Sequence, residues 1–281
     1  MVKLSKKILP LVVTLLLTTT CGMNNSKQPS TDAILSEQPV SVVNNDVNYA
    51  FPKYRIKKTH DQILSRYSYT TSYNKMTLTP NWVGWTLTAE HTDGEYARKG
   101  HSFMEDLDVP EPRAIYSDIR EGECGFQRGH MCPAGDNRWS FKAQKDAFLM
   151  SNICPQNGNL NQHDWKYLEE ACREWAVRDK EIFIIAGPVF YSDNYLRIGE
   201  HGIAVPEAFF KVVLSFGNNG NQPRAIGFLF SNMPGHHKME YYVRPVDEIE
   251  RITGLDFFYQ LEDSIENVIE SEIDIDKWRT E

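Results

Sequence analysis

The sequence predicts an α+β domain with a mixed or antiparallel sheet and packed helices, and three observations predict it. Apolar runs rich in β-branched and aromatic residues recur at 82–88, 182–186, 209–216 and 225–230, each closed by Gly, Pro or Asn. Segments with helical spacing fall between or after them, at 140–150, 161–177 and 245–253. The two kinds of segment interleave without the regular strand–helix–strand alternation of a doubly wound parallel sheet.

In chain order, Lys3, Lys6 and Lys7 precede an apolar run from Ile8 to Leu17, followed by small polar residues up to Cys21. That run is too short to span a bilayer as a mature helix and has the form of an export signal. Cys21, directly after small residues and before Gly22, resembles the lipidated cysteine of a bacterial lipoprotein signal, with residues 1–20 removed. Leu17 stands one place too early for that box, and a plain cleaved signal is the alternative. The expected location is therefore the periplasm or cell envelope on a lipid anchor, or the exterior as a secreted protein. Residues 21–60, rich in Asn, Ser, Gln and Pro over most of their length, read as a flexible tether with one candidate element at 56–63. The folded domain is expected at 61–254, with order beginning near Tyr67.

Within that domain WVGWTLT, from Trp82 to Thr88, alternates as a half-buried strand does. Ser140 can cap a helix reaching Met150. A longer helix is expected from Asn161 through Val177, with Trp165, Leu168, Cys172 and Trp175 on one stripe. NNGN at 218–221 is a hairpin-like turn between the last two strands. An acidic helix at 245–253 ends at Gly254, and 255–281 reads as a solvated helix and acidic tail, with an inhibitor-like or calcium-binding role as the remote second reading.

Charge follows the same division. The chain carries −8, yet from Asp247 to Glu281 there are twelve acids against three bases, which leaves the rest at +1. Exposed charges separated by more than about 10 Å are largely screened in salt, so an acidic end need not repel a polyanion from a distant site. It does argue against tight, stoichiometric DNA binding. Four cysteines follow the leader, Cys124, Cys132, Cys154 and Cys172, and their spacing leaves all three disulfide pairings, and free thiols, open. They lack zinc-ligand spacing.

The chemistry-bearing residues concentrate in GFQRGHMCPAGDNRWS (125–140) and SNICPQNGNLNQHDWKYLEEACREW (151–175). On a helix beginning at Asn161, residues 161, 165, 169 and 173 follow one another at i, i+4 spacing, so Asn161, Glu169 and Arg173 face one cleft with Trp165 between them. A carboxamide oxygen and a carboxylate are hard ligands suited to Mg²⁺, with Mn²⁺ as the alternative. Phosphodiester hydrolysis needs an activated water and neutralisation of the charge growing on the phosphate. A neutral imidazole supplies the first, here His130, and metal with Arg173, Arg128 and Arg98 the second.

These residues resemble the DNA/RNA non-specific endonucleases of the ββα-metal (His-Me finger) superfamily, which includes mitochondrial endonuclease G. The family's Asp-Arg-Gly-His signature is matched by Gln127-Arg128-Gly129-His130, and its Asn-rich metal helix by Asn152 in SNICPQ, Asn161 in NLNQ and Glu169 in YLEE. The resemblance implies a ββα-metal motif inside the α+β domain and a nuclease domain at 61–254 that cleaves DNA and RNA and leaves 5′-phosphate ends. It implies His130 as general base, Asn161 as direct Mg²⁺ ligand and Glu169 as ligand to metal-bound water, with Asn152 and Arg173 in support. Arg98, in ARKGHSFMEDLDVP, is similar to the family's upstream phosphate-binding arginine. The similarity runs from about Tyr67 to Pro245 and includes VPEAFFKVV at 205–213. Gln127, where the family carries aspartate, is the departure; a neutral amide can still orient Arg128 by hydrogen bonding but removes one charge, so metal affinity or pH optimum is expected to differ.

Blander readings stand beside these. A lone Arg-Gly-His is commonly a surface or core hydrogen-bonder, and it gains meaning only from the Asn, Glu and Arg that follow. Trp165, Leu168, Trp175 and Trp139 read as core. His236 and His237, after a Pro-Gly turn, could suggest a second metal site, yet adjacent residues on a loop often point apart. A catalytically silent, membrane-tethered nucleic-acid binder is the rival reading, and a sequence-specific homing or restriction enzyme would need a recognition domain for which the chain has no room. The oligomeric state, monomer or homodimer, is open.

Overall fold

The computed structural model describes residues 44, 46–55, 61–220 and 222–279. The expected leader, Cys21 and most of the expected tether lie outside the described residues. Among the described residues no helix is long and apolar enough to cross a membrane.

The strands are β1 (Lys53–Tyr54), β2 (Asp61–Ser65), β3 (Thr70–Asn74), β4 (Thr79–Thr88), β5 (Phe126–His130), β6 (Ile153–Asn157), β7 (Glu181–Val189), β8 (Arg197–Ile198), β9 (Ile203–Ala204), β10 (Ala208–Ser215), β11 (Arg224–Ser231), β12 (Val243–Arg244) and β13 (Leu255–Asp256). The helices are α1 (Phe141–Ala147), α2 (Gly158–Gln162), α3 (Asp164–Asp179), α4 (Val246–Thr253) and α5 (Asp263–Ser271). Seven strands form one antiparallel sheet in the order β12-β11-β10-β7-β4-β3-β2. The α+β class expected from sequence is the one observed.

β7 and β10 at the centre are buried along almost their whole length because both sheet faces are covered. Strand alternation divides β10 between them. Phe209 and Val213 meet Trp165, Leu168, Cys172 and Trp175 of α3. Phe210, Val212 and Leu214 meet Val246 and Ile249 of α4, Ile269 of α5, and Phe257 and Phe258.

The ends of the chain are part of this second layer. Tyr49 and Ala50, within the segment expected as tether, are buried in it, and β1 pairs with β13. Gly84 of β4 makes the crossing physically possible, since a Cβ there would stand 1.8 Å from the Ala50 carbonyl oxygen. The acidic segment 255–281 also differs from a solvated tail. It buries Phe257, Phe258, Ile269 and Trp278. Its charges are dense enough to mask the apolar residues that dock it.

Two local expectations are corrected. The helix expected from Asn161 to Val177 is broken at His163, whose φ of −121° and ψ of −92° separate α2 from α3. His163 Nδ1 bonds the Asn159 carbonyl, a local contact that closes α2 instead of continuing it. Order also begins before Tyr67, with β1 and with β2, where Leu64 is buried.

Candidate active site

β5 and β6 pair antiparallel with His130 opposite Ile153 and Gln127 opposite Gln156. Gly129 lies against Gln156, and a Cβ there would come within 2.6 Å of that residue's own Cβ. The glycine before the histidine is thus a steric requirement of the pairing. β6 leads directly into α2, whose free N–H groups at Asn159 and Leu160 are capped by the Asn157 side chain at 3.0 and 3.4 Å. The unit packs on the main core through Met131, Cys132, Cys154 and Leu160.

One cleft of about 550 Å³ collects Arg98, His130, Asn161, Glu169 and Arg173, together with Arg138, Gln162 and Lys166. His130 is 7% exposed, its ring 5.3 Å from Phe103 and 5.1 Å from Phe148 between centroids. Its Nε2 is shut in without a hydrogen bond. Burial, and then the Arg98 charge, push its pKa down to about 3, so the imidazole is neutral across the working pH range.

Asn161 donates from Nδ2 to Gln127 Oε1 at 2.9 Å. Gln127 is itself lodged against Gly158, where even a Cβ would lie 3.2 Å from its amide. This bond fixes which way the Asn161 amide faces and, among the described residues, leaves Oδ1 without a hydrogen bond. Glu169 is half-buried, and loss of water raises its pKa to about 7; the charge of Lys211, and that of Arg173, favour its ionised form. Lys211 lies on the α3 face of β10, fully buried, with Nζ 4.4 Å from the Trp165 ring and 5.5 Å from that of Trp85 and, among the described residues, no hydrogen bond. Arg173 donates to Asp136 Oδ1 at 2.8 Å, and buried Asp136 also takes the Trp85 indole N–H at 3.1 Å. Arg98 is exposed at the cleft wall, its guanidinium 5.9 and 5.7 Å from the Phe103 and Phe148 rings.

Two sequence candidates lie outside the cleft lining. Asn152 is fully buried, accepting from Cys132 N and donating to the carbonyls of Cys132 and Ala147, each at 2.9 Å. It ties together the backbone that follows His130. Arg128 is turned to the carbonyls of Tyr116 and Ile119 and to Glu121 at 3.2 Å. Trp165 lies in the core, as expected for its stripe with Leu168, Cys172 and Trp175, and does not stand between the cleft residues; its indole donates to the His130 carbonyl at 3.3 Å. The break at His163 explains the shift, because Asn161 is no longer on the helical register of Glu169 and Arg173.

Gln127, expected to orient Arg128, holds Asn161 instead, while Arg128 turns to backbone carbonyls and Glu121; the parts played by Asp136 and Lys211 were not foreseen from the sequence. Asp136 was visible as the single acid within PAGDNRWS, and Lys211 as the one charge in AFFKVV. The four cysteines among the described residues are free thiols, and burial pushes Cys172 up to about 12. His236 is held by Asp164 at 2.7 Å, and His237 N donates to the same carboxylate at 3.2 Å.

The paired strands β5 and β6 and the helix α2 that follows directly on β6, with a buried imidazole closing β5 and an open carboxamide oxygen on α2, have the arrangement of a ββα-metal motif. The chain belongs to the DNA/RNA non-specific endonuclease family, whose model matches residues 49–264. It is 34% identical over 204 residues to the mitochondrial nuclease EXOG of Xenopus laevis, covering 68% of this chain and 56% of that protein. It is 34% identical over 208 residues to mitochondrial endonuclease G of Bos taurus, covering 70% of this chain and 69% of that one. The chain thus matches little more than half the length of the EXOG relative. A solved structure of the EndoG/EndoGI complex superimposes with a TM-score of 0.69 at 27% identity, covering 77% of this chain and 91% of the matched one.

Proposed function

We propose that the protein is a divalent-metal-dependent endonuclease that hydrolyses internal phosphodiesters of DNA and RNA without reading sequence. The observation that carries this is the single cleft in which neutral His130, open Asn161 Oδ1, Glu169 and the guanidinium groups of Arg98 and Arg173 meet. Asn161 and Glu169 fit a hard cation, because one offers an unengaged amide oxygen and the other a carboxylate. Asn161 would hold Mg²⁺ or Mn²⁺ directly and Glu169 through water. When bound, the ion supplies charge to the phosphate and to the leaving oxygen.

The chain's own groups do the rest. His130 accepts a proton from the attacking water, and with Nε2 shut away the nitrogen open to the cleft is Nδ1. Arg173, aligned by Asp136, and Arg98 donate to phosphate oxygens. Arg128 and Asn152 act from behind: Arg128 holds the loop around Tyr116 and Ile119, and Asn152 fixes the turn after His130. Contacts confined to phosphate and sugar carry no sequence information, which accounts for non-specificity, and 5′-phosphate ends are the expected products.

The same reading gives the chain a removable leader at 1–20, a tether from Cys21 with lipid attached there or plain secretion, and a periplasmic or cell-envelope setting. The relatives named above are mitochondrial, so the shared domain works behind different address signals. A homodimer is part of the proposal only as an alternative to the monomer. Incubation of the purified protein with plasmid and with RNA, in magnesium or in chelator, tests the function. Nicking of both in magnesium and none in chelator is expected; binding without nicking would favour a silent capture protein.

A further inference from the structure

We infer that the C-terminal helices carry a second cation site, separate from the cleft and independent of the nuclease reading, in which Asp247 and Glu250 of α4 and Glu270 of α5 take Ca²⁺. One carboxylate oxygen from each of the three lies within 4.8 Å of the other two. Calcium–oxygen bonds of about 2.3–2.6 Å let a single ion reach ligand oxygens that far apart, and an all-oxygen anionic set suits Ca²⁺ better than metals that seek nitrogen or sulfur.

An acidic cluster alone would mean little, and the second observation is Glu270 itself. It is 3% exposed, and among the described residues its Oε1 has no hydrogen-bond partner. Ile269 beside it is packed in the core layer, which draws the carboxyl under the surface. A buried carboxylate without a partner is strongly disfavoured unless it is protonated or paired with a cation. The neighbours sharpen the conflict: Glu250, Glu266, Asp247 and Asp256 all oppose its ionisation, after burial itself.

The other two ligands suit their parts. Glu250 is 1% exposed and held in place, Oε1 accepting from Phe257 N at 2.7 Å and Oε2 from Arg55. Asp247 is exposed and opens the group to solvent ions. Lys53 and Arg55 answer part of the charge through Asp256 and Glu250, at 3.2 Å for Lys53–Asp256, and leave Glu270 unanswered. A bound ion would fasten α4 to α5 and, through Glu250, to the N-terminal segment that crosses the sheet.

The test is calcium titration of chelator-treated full-length protein by calorimetry, with thermal unfolding in parallel, for wild type, Glu270→Gln and Asp247→Asn. Calcium bound in the cleft is common to all three and cancels. The expected result is a calcium-dependent rise in Tm in wild type, an affinity reduced at least about tenfold in both variants, and magnesium-supported plasmid cleavage unchanged. An equal calcium response in wild type and Asp247→Asn, or no calcium response in wild type at millimolar concentration, would overturn the inference. Asp247→Asn changes an exposed side chain, so it serves even where Glu270→Gln disturbs packing.

Discussion

Glu169 in the cleft and Glu270 at the junction of α4 and α5 are both raised by burial, but they keep opposite company. Around Glu169 stand Lys211 and Arg173, which favour its ionised form, with Asp136 the opposing acid. Around Glu270 every charged neighbour of consequence is an acid, and its pKa is pushed up to about 9 against about 7 for Glu169. One surrounding supplies cations from the protein and needs only to lose a proton near neutrality. In the other, the cations Lys53 and Arg55 are engaged by Asp256 and Glu250, so Glu270 must obtain its counter-charge from a proton or an ion. The lesson is that a glutamate's role follows from the sign of its packed neighbours, which residues adjacent in sequence do not reveal.

The comparison can be sharpened by substitutions graded in effect. Asn161→Ala should lower magnesium affinity and cleavage by about a hundredfold, since it removes the proposed direct ligand, while leaving Tm near that of wild type; isothermal titration and plasmid nicking report it. Gln127→Leu should cost about tenfold in magnesium affinity by freeing the Asn161 amide to rotate, and Gln127→Asp, which can still accept the Nδ2 hydrogen bond, should restore it.

The pH responses of the two regions should run in opposite directions. Glu169 must be ionised to support a cation, so magnesium affinity should fall as pH drops through about 7. His130, lowered to about 3, stays neutral across that range and contributes nothing to this limb. An acid limb centred near pH 4 would contradict the assignment. Glu270 has the reverse sign for stability: its folded value of about 9 exceeds the ordinary 4.5, so the folded chain holds a proton that the unfolded chain releases. That contribution is full below about pH 4.5 and fades as pH rises towards 9. Urea midpoints in chelator should therefore decline over that interval in wild type and decline less in Glu270→Gln.

How much of this was legible in the sequence divides along physical lines. β4, β7, β10 and β11 declared themselves because their apolar content is the signal of burial, and α4 because Gly254 ends it in a left-handed turn at φ 70°. β3, spelled TTSYN, and the β5–β6 pair, spelled FQRGH and ICPQN, have no apolar alternation; they are held by partner strands and by side-chain contacts such as Gly129 on Gln156. In the cleft, His130, Asn161, Glu169, Arg173 and Arg98 could be picked from residue type, although the continuous helical spacing expected from Asn161 is broken at His163. Asn152 and Arg128 could not be sorted from them, because whether an amide or guanidinium turns to a cleft or to backbone carbonyls depends on chain brought in from elsewhere. The end segments were misjudged for the same reason: Tyr49 and Ile269 acquire their burial from each other's layer on the sheet.

The central claim is that His130 accepts the proton of the attacking water. Its most direct test is the plasmid cleavage rate of His130→Ala against wild type at saturating magnesium, with magnesium affinity measured on the same preparations. A loss of at least about a hundredfold in rate, with affinity for the ion preserved, is predicted. Near-normal turnover by His130→Ala would contradict the account.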